Sequence, residues 1–281
     1  MGDRRIGGAT RVVAVIGWPI EHSLSPVIHN AAFDAMDLDW VYVALPVAPG
    51  PIPEAVAGLV ALGVAGANVT MPHKEAVADV VDRLTEDAER LRAVNTIEIA
   101  AGHTVGHNTD APGFARFLEQ DAGFDASGRT ALLYGAGGAA RACALALARA
   151  GLTRLVVALR VPARAKELEA ALDGLPTTVE TVAFDQAGGV SADLVVNGTP
   201  LGAHGETLPL PALGPSTVTV DLLYRPTMTP LQQAAREAGG AAFGGLGLLL
   251  QQAALSFEIW TGRQPPLEVM SAAALAALAD G

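Results

Sequence analysis

Residues 131–140 are Ala131-Leu132-Leu133-Tyr134-Gly135-Ala136-Gly137-Gly138-Ala139-Ala140, a strand, a glycine-rich turn and a helix start in direct succession. Ala131–Tyr134 is an unbroken apolar run that predicts a buried strand, and Gly137–Ala150 predicts a helix. The glycines between them fit G-x-G-x-x-A. Gly135 permits a tight turn, Gly137 lets the backbone approach a pyrophosphate, and Ala140 is small enough for close helix–strand packing. The helix N-terminus adds N–H groups and a positive dipole end. Gly135, Ala136, Gly137, Gly138 and Ala139 are therefore candidate cofactor contacts. The chain holds 31 glycines, so a bare glycine match means little. Strand, loop and helix in sequence separate a dinucleotide site from an ordinary Gly-rich turn.

Working outward, the strand Leu155–Leu159 ends in Arg160, with Arg164 one helical turn later. An NAD-specific site places Asp or Glu there for the ribose 2′-hydroxyl. Two guanidinium groups instead suit a 2′-phosphate, so NADP is expected, with NAD the alternative. The plain structural alternative is that Arg160 only closes an exposed strand end. Helix Ala163–Leu172, strands Val179–Phe184, Leu194–Asn197 and Val218–Leu222, and helix Pro230–Ala238 continue a nucleotide-domain rhythm. Upstream, strands Val12–Ile16, Val41–Val47 and Ala67–Thr70 alternate with helices Pro26–Met36, Ile52–Leu62 and Lys74 to about Arg83. Thr96–Ile99 and His103–Gly106 predict a hairpin around Ala101-Gly102. The fold class expected is α/β with two domains, each with a mostly parallel sheet. Residues 1–107 form a substrate-binding and catalytic domain, and 108–243 a Rossmann-like NADP-binding domain. Residues 244–281 are helices returning to the first domain.

The composition narrows the function. Of 281 residues, 51% are hydrophobic and 17% charged, ample for cores. The net charge of −11 argues against a general nucleic-acid grip, which needs a basic surface. Cys143 is the single cysteine, so an intrachain disulfide and a Cys-based metal cluster are excluded; its Ala-rich helix makes it a core residue. The histidines have no arrangement that makes a metal shell. No secretory signal is read, and no run reaches the roughly 20 apolar residues of a membrane span. A cytoplasmic location is expected, as a monomer or homodimer.

Two segments carry candidate chemistry. Asn68-Val69-Thr70-Met71-Pro72-His73-Lys74 closes a strand and opens a helix. Period two puts Asn68 and Thr70 on one face. Lys74 stands at the helix start, where a cation opposes the dipole, which points to a use beyond solvation. His107-Asn108-Thr109-Asp110 leads into the next helix, with Asp110 as its N-cap or as a catalytic carboxylate. A lysine and an aspartate facing one hydroxyl could pass its proton while hydride leaves for a nicotinamide. In Ser23-Leu24-Ser25-Pro26, Ser25 reads as a cap for the helix begun at Pro26. Two hydroxyls there, with Asn68, Thr70 and Asn95, would also bind a carboxylate and ring hydroxyls.

These pieces occur in the same order in the shikimate dehydrogenases, which the chain resembles over nearly its whole length. The blocks are Gly17-Trp18-Pro19-Ile20-Glu21-His22-Ser23-Leu24-Ser25-Pro26, Asn68 to Lys74, Ala93-Val94-Asn95-Thr96 and Gly106 to Asp110. They continue with the glycine loop, Asn197-Gly198-Thr199-Pro200, Asp221-Leu222-Leu223-Tyr224, Gly245-Leu246-Gly247 and Gln251-Gln252-Ala253-Ala254. The resemblance implies Lys74 and Asp110 as the catalytic pair and Ser23 and Ser25 as carboxylate ligands. It implies Asn68, Thr70, Asn95 and Gln252 as holders of ring hydroxyls, with Tyr224 beside the substrate. Thr199, Gly245 and Leu248 would line the cofactor. The implied reaction is reversible NADPH-dependent reduction of 3-dehydroshikimate to shikimate, on the route to chorismate and the aromatic amino acids.

The chain departs from the family pattern at four points. Arg92 replaces a glycine before Ala-Val-Asn. Leu159-Arg160-Val161 replaces Asn-Arg-Thr, removing two polar contacts to the adenosine phosphate. Gly244 replaces an aspartate, and Leu248 a methionine. Quinate or an amino analogue of shikimate is the alternative substrate, although Ser25 favours shikimate over quinate. A folate-type NADP dehydrogenase would not need the serine pair. A cofactor-binding sensor would not need Lys74 and Asp110.

Overall fold

The structure, a computed structural model, describes residues 6–279. The first apolar run becomes β1 (Arg11–Gly17), followed by α1 (Ser25–Ala35), β2 (Trp40–Pro46), α2 (Ile52–Ala61), β3 (Gly66–Val69) and α3 (Lys74–Ala78). Then come β4 (Arg83–Leu84), α4 (Glu86–Leu91), β5 (Thr96–Ala100) and β6 (His103–His107). These strands form one sheet in the order β2-β1-β3-β5-β6-β4. β1 is parallel to β2 and β3, and β4 to β6; β5 is antiparallel to β3 and β6. The expected hairpin is present. Ala101 and Gly102 close it at φ of 50° and 81°, a positive-φ pair that suits the twist of the flanking strands. β1 is buried on both faces. Ala14 and Ile16 join Val56, Leu59 and Val77 in one core, while Val13 and Val15 are buried opposite.

One expected helix is cut short. The span from Lys74 to about Arg83 is helical only to Ala78. The Asp82 carboxylate accepts from the Thr104 backbone N–H at 2.7 Å and hydroxyl at 2.9 Å. That tie brings Arg83–Leu84 alongside β6, and a separate helix α4 follows. Weak helix formers at Val80 and Val81 make the local pattern easy to override. α4 ends on Arg92 in the left-handed conformation, φ 46° and ψ 43°.

The chain continues with α5 (Asp110–Gln120), β7 (Thr130–Tyr134), α6 (Gly138–Arg149), β8 (Arg154–Leu159), α7 (Ala165–Ala171), β9 (Thr178–Ala183) and β10 (Leu194–Asn197). β11 (Val218–Asp221), α8 (Pro230–Glu237) and β12 (Ala241–Phe243) complete the second sheet, ordered β12-β11-β10-β7-β8-β9. All five pairings are parallel. From β9 the order is 3-2-1-4-5-6, with the switch point between β7 and β10. The helix expected over Ala163–Leu172 opens as a 3₁₀ turn at Pro162–Arg164. β12, three residues long, gives no periodic signal and was not expected. Cys143 is fully buried in α6.

α9 (Leu246–Thr261) and α10 (Leu267–Ala279) end the chain. The fold resolves into two compact units, Met1–Thr109 with Gln252–Gly281, and Asp110–Gln251. The terminal helices return to the first sheet: Trp260 Nε1 donates to the Ile97 carbonyl at 3.0 Å, and α10 lies along α1. Gly66 makes this possible, because a Cβ there would overlap the Trp260 indole and approach the Ile97 carbonyl to 2.6 Å. Among the described residues no helix is long and apolar enough to cross a membrane, and no group of three or more His, Cys, Asp or Glu could hold a metal.

Candidate active site

In the first unit the polar candidates gather at one end of the sheet. Tyr42 hydroxyl donates to Asn68 Oδ1 at 2.8 Å. Asn68 Nδ2 donates to Ser256 Oγ at 2.9 Å, Thr96 Oγ1 at 3.0 Å and the Asn95 carbonyl at 3.1 Å. Asn95 Oδ1 accepts from the Thr109 N–H at 2.7 Å, and its Nδ2 donates to Thr109 Oγ1 at 2.9 Å and Gln252 Oε1 at 3.4 Å. Asn68, Asn95 and Gln252 are all buried. A buried polar cluster is tolerable only when its members satisfy one another, as these do. Tyr42, Thr96, Thr109 and Ser256 were not singled out from sequence. Thr96 and Thr109 each follow an asparagine already noted, a usable signal; Tyr42 and Ser256 read as ordinary core.

The serine turn corrects one expectation. Ser25 is the first residue of α1 and makes no side-chain cap. Ser23 Oγ instead accepts from the Ser25 N–H at 3.3 Å. Thr70 lies one residue past β3. Its N–H donates to the Ile16 carbonyl at 2.9 Å, and its carbonyl accepts from His73 N–H at 3.0 Å, forming the turn into α3. His73 is buried, its Nε2 2.6 Å from the Val47 carbonyl. Lys74 opens α3 half-buried, and its carbonyl accepts from Val94 N–H at 2.8 Å. His29, expected on the first helix, is fully buried in α1 and stacks on Tyr42 with centroids 4.4 Å apart. Burial drives its pKa down to about 3.

In the second unit the glycine loop has the geometry its sequence requires. Gly135 has φ +97°, and a Cβ there would lie 3.0 Å from Thr199 Cγ2. Gly137 precedes α6 in extended conformation, and nothing in the protein lies within 4 Å of where its Cβ would be. Open space over that backbone is a cradle that a side chain would partly fill. Gly198 lies against Ala140, a Cβ at Gly198 meeting that of Ala140 at 2.8 Å. Thr199 ties down its own loop: its hydroxyl donates to Asn197 Oδ1 at 2.7 Å. Asn197 Nδ2 donates to Asp221 Oδ1 at 3.0 Å, and Thr229 hydroxyl donates to Asp221 Oδ2 at 2.7 Å. Burial raises the Asp221 pKa, against hydrogen bonds from Thr229, Leu223 and Asn197. Beneath the glycine loop, buried Arg141 donates to the Ala136 carbonyl at 3.2 Å and pairs with Glu167 at 2.7 Å.

No acid follows β8. Arg160 is exposed with its guanidinium 5.9 Å from the Phe184 ring, and Arg164 is exposed in the 3₁₀ turn. Gly245 is obligatory, since a Cβ there would collide with the Leu222 carbonyl. Leu248 is buried and Tyr224 half-buried, burial raising the tyrosine pKa and Arg225 opposing it. Asp110 is buried as the first residue of α5, one position later than an N-cap. A carboxylate in a first turn is favoured by the helix dipole.

A doubly wound parallel sheet, with an open glycine loop at its switch point and arginines where an acid would select NAD, defines a dinucleotide-binding α/β protein. The buried amide and hydroxyl cluster stands in its other unit. Residues 15–97 match the shikimate dehydrogenase substrate binding domain and residues 245–275 the shikimate 5′-dehydrogenase C-terminal domain. The chain is 43% identical to a shikimate dehydrogenase (NADP(+)) of Geobacter metallireducens, covering 97% of this chain and 99% of that one. A shikimate 5-dehydrogenase structure from Thermus thermophilus, in complex with NADP(H) and shikimate, is similar with a TM-score of 0.85 and 35% identity, covering 95% and 100%. Another from Listeria monocytogenes, with shikimate and NAD, gives a TM-score of 0.88 and 33% identity, covering 96% and 98%. The chain belongs to the shikimate dehydrogenase family.

Proposed function

We propose that the chain catalyses reversible NADPH-dependent reduction of 3-dehydroshikimate to shikimate. The observation that carries this reading is the buried cluster of Asn68, Asn95 and Gln252, which offers amide groups suited to ring hydroxyls. Ser23 and Ser25 supply hydroxyls for the carboxylate. Ser23 Oγ already accepts from a backbone N–H, so its own proton remains to be donated. Thr70 and Tyr224 complete the substrate contacts.

NADPH, when bound, would supply the hydride that the carbonyl carbon of 3-dehydroshikimate accepts. Residues 135–139, Arg160, Arg164, Thr199, Gly245 and Leu248 are the residues assigned to hold it. Lys74 and Asp110 deliver one proton to the oxygen as the carbonyl becomes an alcohol, and take it back in the reverse direction. The division into residues 1–107 for substrate, 108–243 for cofactor and 244–281 as returning helices belongs to the same reading. So do a cytoplasmic location and a monomer or homodimer, which cell fractionation and sedimentation decide.

Lys74→Ala is expected to lower kcat by about 10²–10⁴-fold, the usual share of a proton-transfer group, with an unchanged circular dichroism spectrum. Absence of turnover by the wild type on shikimate, quinate and amino analogues with both cofactors would falsify the proposed reaction. Arg160→Ala with Arg164→Ala should erode preference for NADP over NAD. A preference unmoved by the double change places the 2′-phosphate elsewhere.

A further inference from the structure

The hydrogen bonds around Asn68 fix which way its amide faces. The Asn95 carbonyl can only accept, so the Asn68 amino group faces it. Thr96 hydroxyl lies 3.2 Å from the acceptor Asn95 Oδ1, Ser256 hydroxyl 3.0 Å from the Gln252 carbonyl, and the two hydroxyls 2.8 Å from each other. Both oxygens and the Asn95 carbonyl accept from Asn68 Nδ2, whose two protons are shared among the three acceptors. Asn68 Oδ1 faces the other way and accepts from Tyr42 at 2.8 Å. Its second lone pair is what remains for a ligand. Tyr42 itself is held on two sides. Its ring stacks on His29 at an interplanar angle of 6°, and its N–H and C=O are clamped by the Asn30 side chain at 2.9 and 2.8 Å. Ser25 is within reach of the same hydroxyl: burial pushes the phenol pKa far up, and the Ser25 side chain pulls it down.

We infer that Tyr42 is a positioning residue for substrate: its hydroxyl occupies one lone pair of Asn68 Oδ1 and holds the amide in place, so that the remaining lone pair receives a ring hydroxyl with Asn68 as the acceptor. This rests on the proposed reaction. Nothing in the loop–strand pattern of the glycine domain is involved, so cofactor binding is expected to be indifferent to Tyr42.

The test is a double-mutant cycle on steady-state kinetics with shikimate and NADP. Tyr42→Phe keeps the ring and its stack and removes the hydroxyl. Alone it is expected to raise the KM for shikimate about tenfold, with kcat and the KM for NADP within about twofold of wild type. On top of Asn68→Ala the same change should add less than about twofold, because the group it orients is gone. A shikimate KM unchanged in Tyr42→Phe, or an equal rise in both backgrounds, overturns the inference. A rise in both KM values with a lowered Tm also overturns it, marking Tyr42 as structural only. A wild type that neither binds nor turns over shikimate takes down the proposed reaction and this inference together; an active wild type with an indifferent Tyr42→Phe takes down only the latter.

Discussion

His29 stands in α1 with neither ring nitrogen hydrogen-bonded, enclosed by Tyr42, Phe33, Phe257 and Trp260. Burial favours its neutral form and lowers the folded-state pKa from 6.5 to about 3. Between those values the unfolded chain binds the proton and the folded chain does not. Stability therefore rises with pH through this window and is lost as pH falls below 6.5. At 1.36 kcal/mol per pH unit, His29 alone should cost about 2 kcal/mol on going from pH 7 to pH 5. His29→Phe should remove that increment, read as the difference between wild-type and variant denaturation midpoints at the two pH values. A difference that is the same at pH 5 and pH 7 would sink the assignment. Arg92 is the other residue at odds with its surroundings. It holds a left-handed φ of 46° where a glycine would rest without strain, and its exposed contact with Asp79 at 3.5 Å is worth little. Arg92→Gly should raise stability by about 0.5–1 kcal/mol in urea unfolding. A lowered midpoint would show that the Asp79 pair outweighs the backbone.

At the scale of the element, the glycine loop separates folding from binding. Gly137 has open space above it, whereas Gly198 presses on Ala140 and the Tyr134 carbonyl. Gly137→Ala should fold with nearly wild-type Tm yet lose NADP affinity by tenfold or more in fluorescence titration. Gly198→Ala should lower Tm itself. Equal affinity of the Gly137→Ala protein for NADP would mean that no phosphate approaches that backbone. The loop was legible because each glycine answers a local demand: Gly135 needs positive φ, and Ala140 needs a small neighbour. The serine turn was less so. Ser25 opens its helix instead of capping it, and Ser23 takes the backbone N–H. Capping depends on where the chain enters the helix, and residue order leaves that open by one position. The same one-residue margin put Asp110 inside α5.

At the scale of the whole molecule, the long-range partners decide the first unit. Trp260 reaches Ile97 across 163 positions, and Ser256 reaches Asn68 across 188. Both contacts depend on α9 approaching the sheet closely over Gly66. Gly66→Ala should destabilise by about 1–3 kcal/mol through overpacking, seen as a lower denaturation midpoint. An unshifted midpoint would mean that the helix can move away at no cost. From the residues alone came the alternation of strands and helices, the glycine loop, the absence of an acid after β8, and the ordered motifs of the family. Each of these is written in neighbouring residues, through period, turn chemistry or charge. Only the tertiary structure decided that Arg83–Leu84 leaves the helical pattern to pair with β6, and that β12 extends the second sheet. Only it brought Tyr42, Thr96, Thr109 and Ser256 around Asn68 and Asn95. The physical reason is that a buried amide must find its partners wherever the folded chain supplies them, and sequence distance carries no record of that choice.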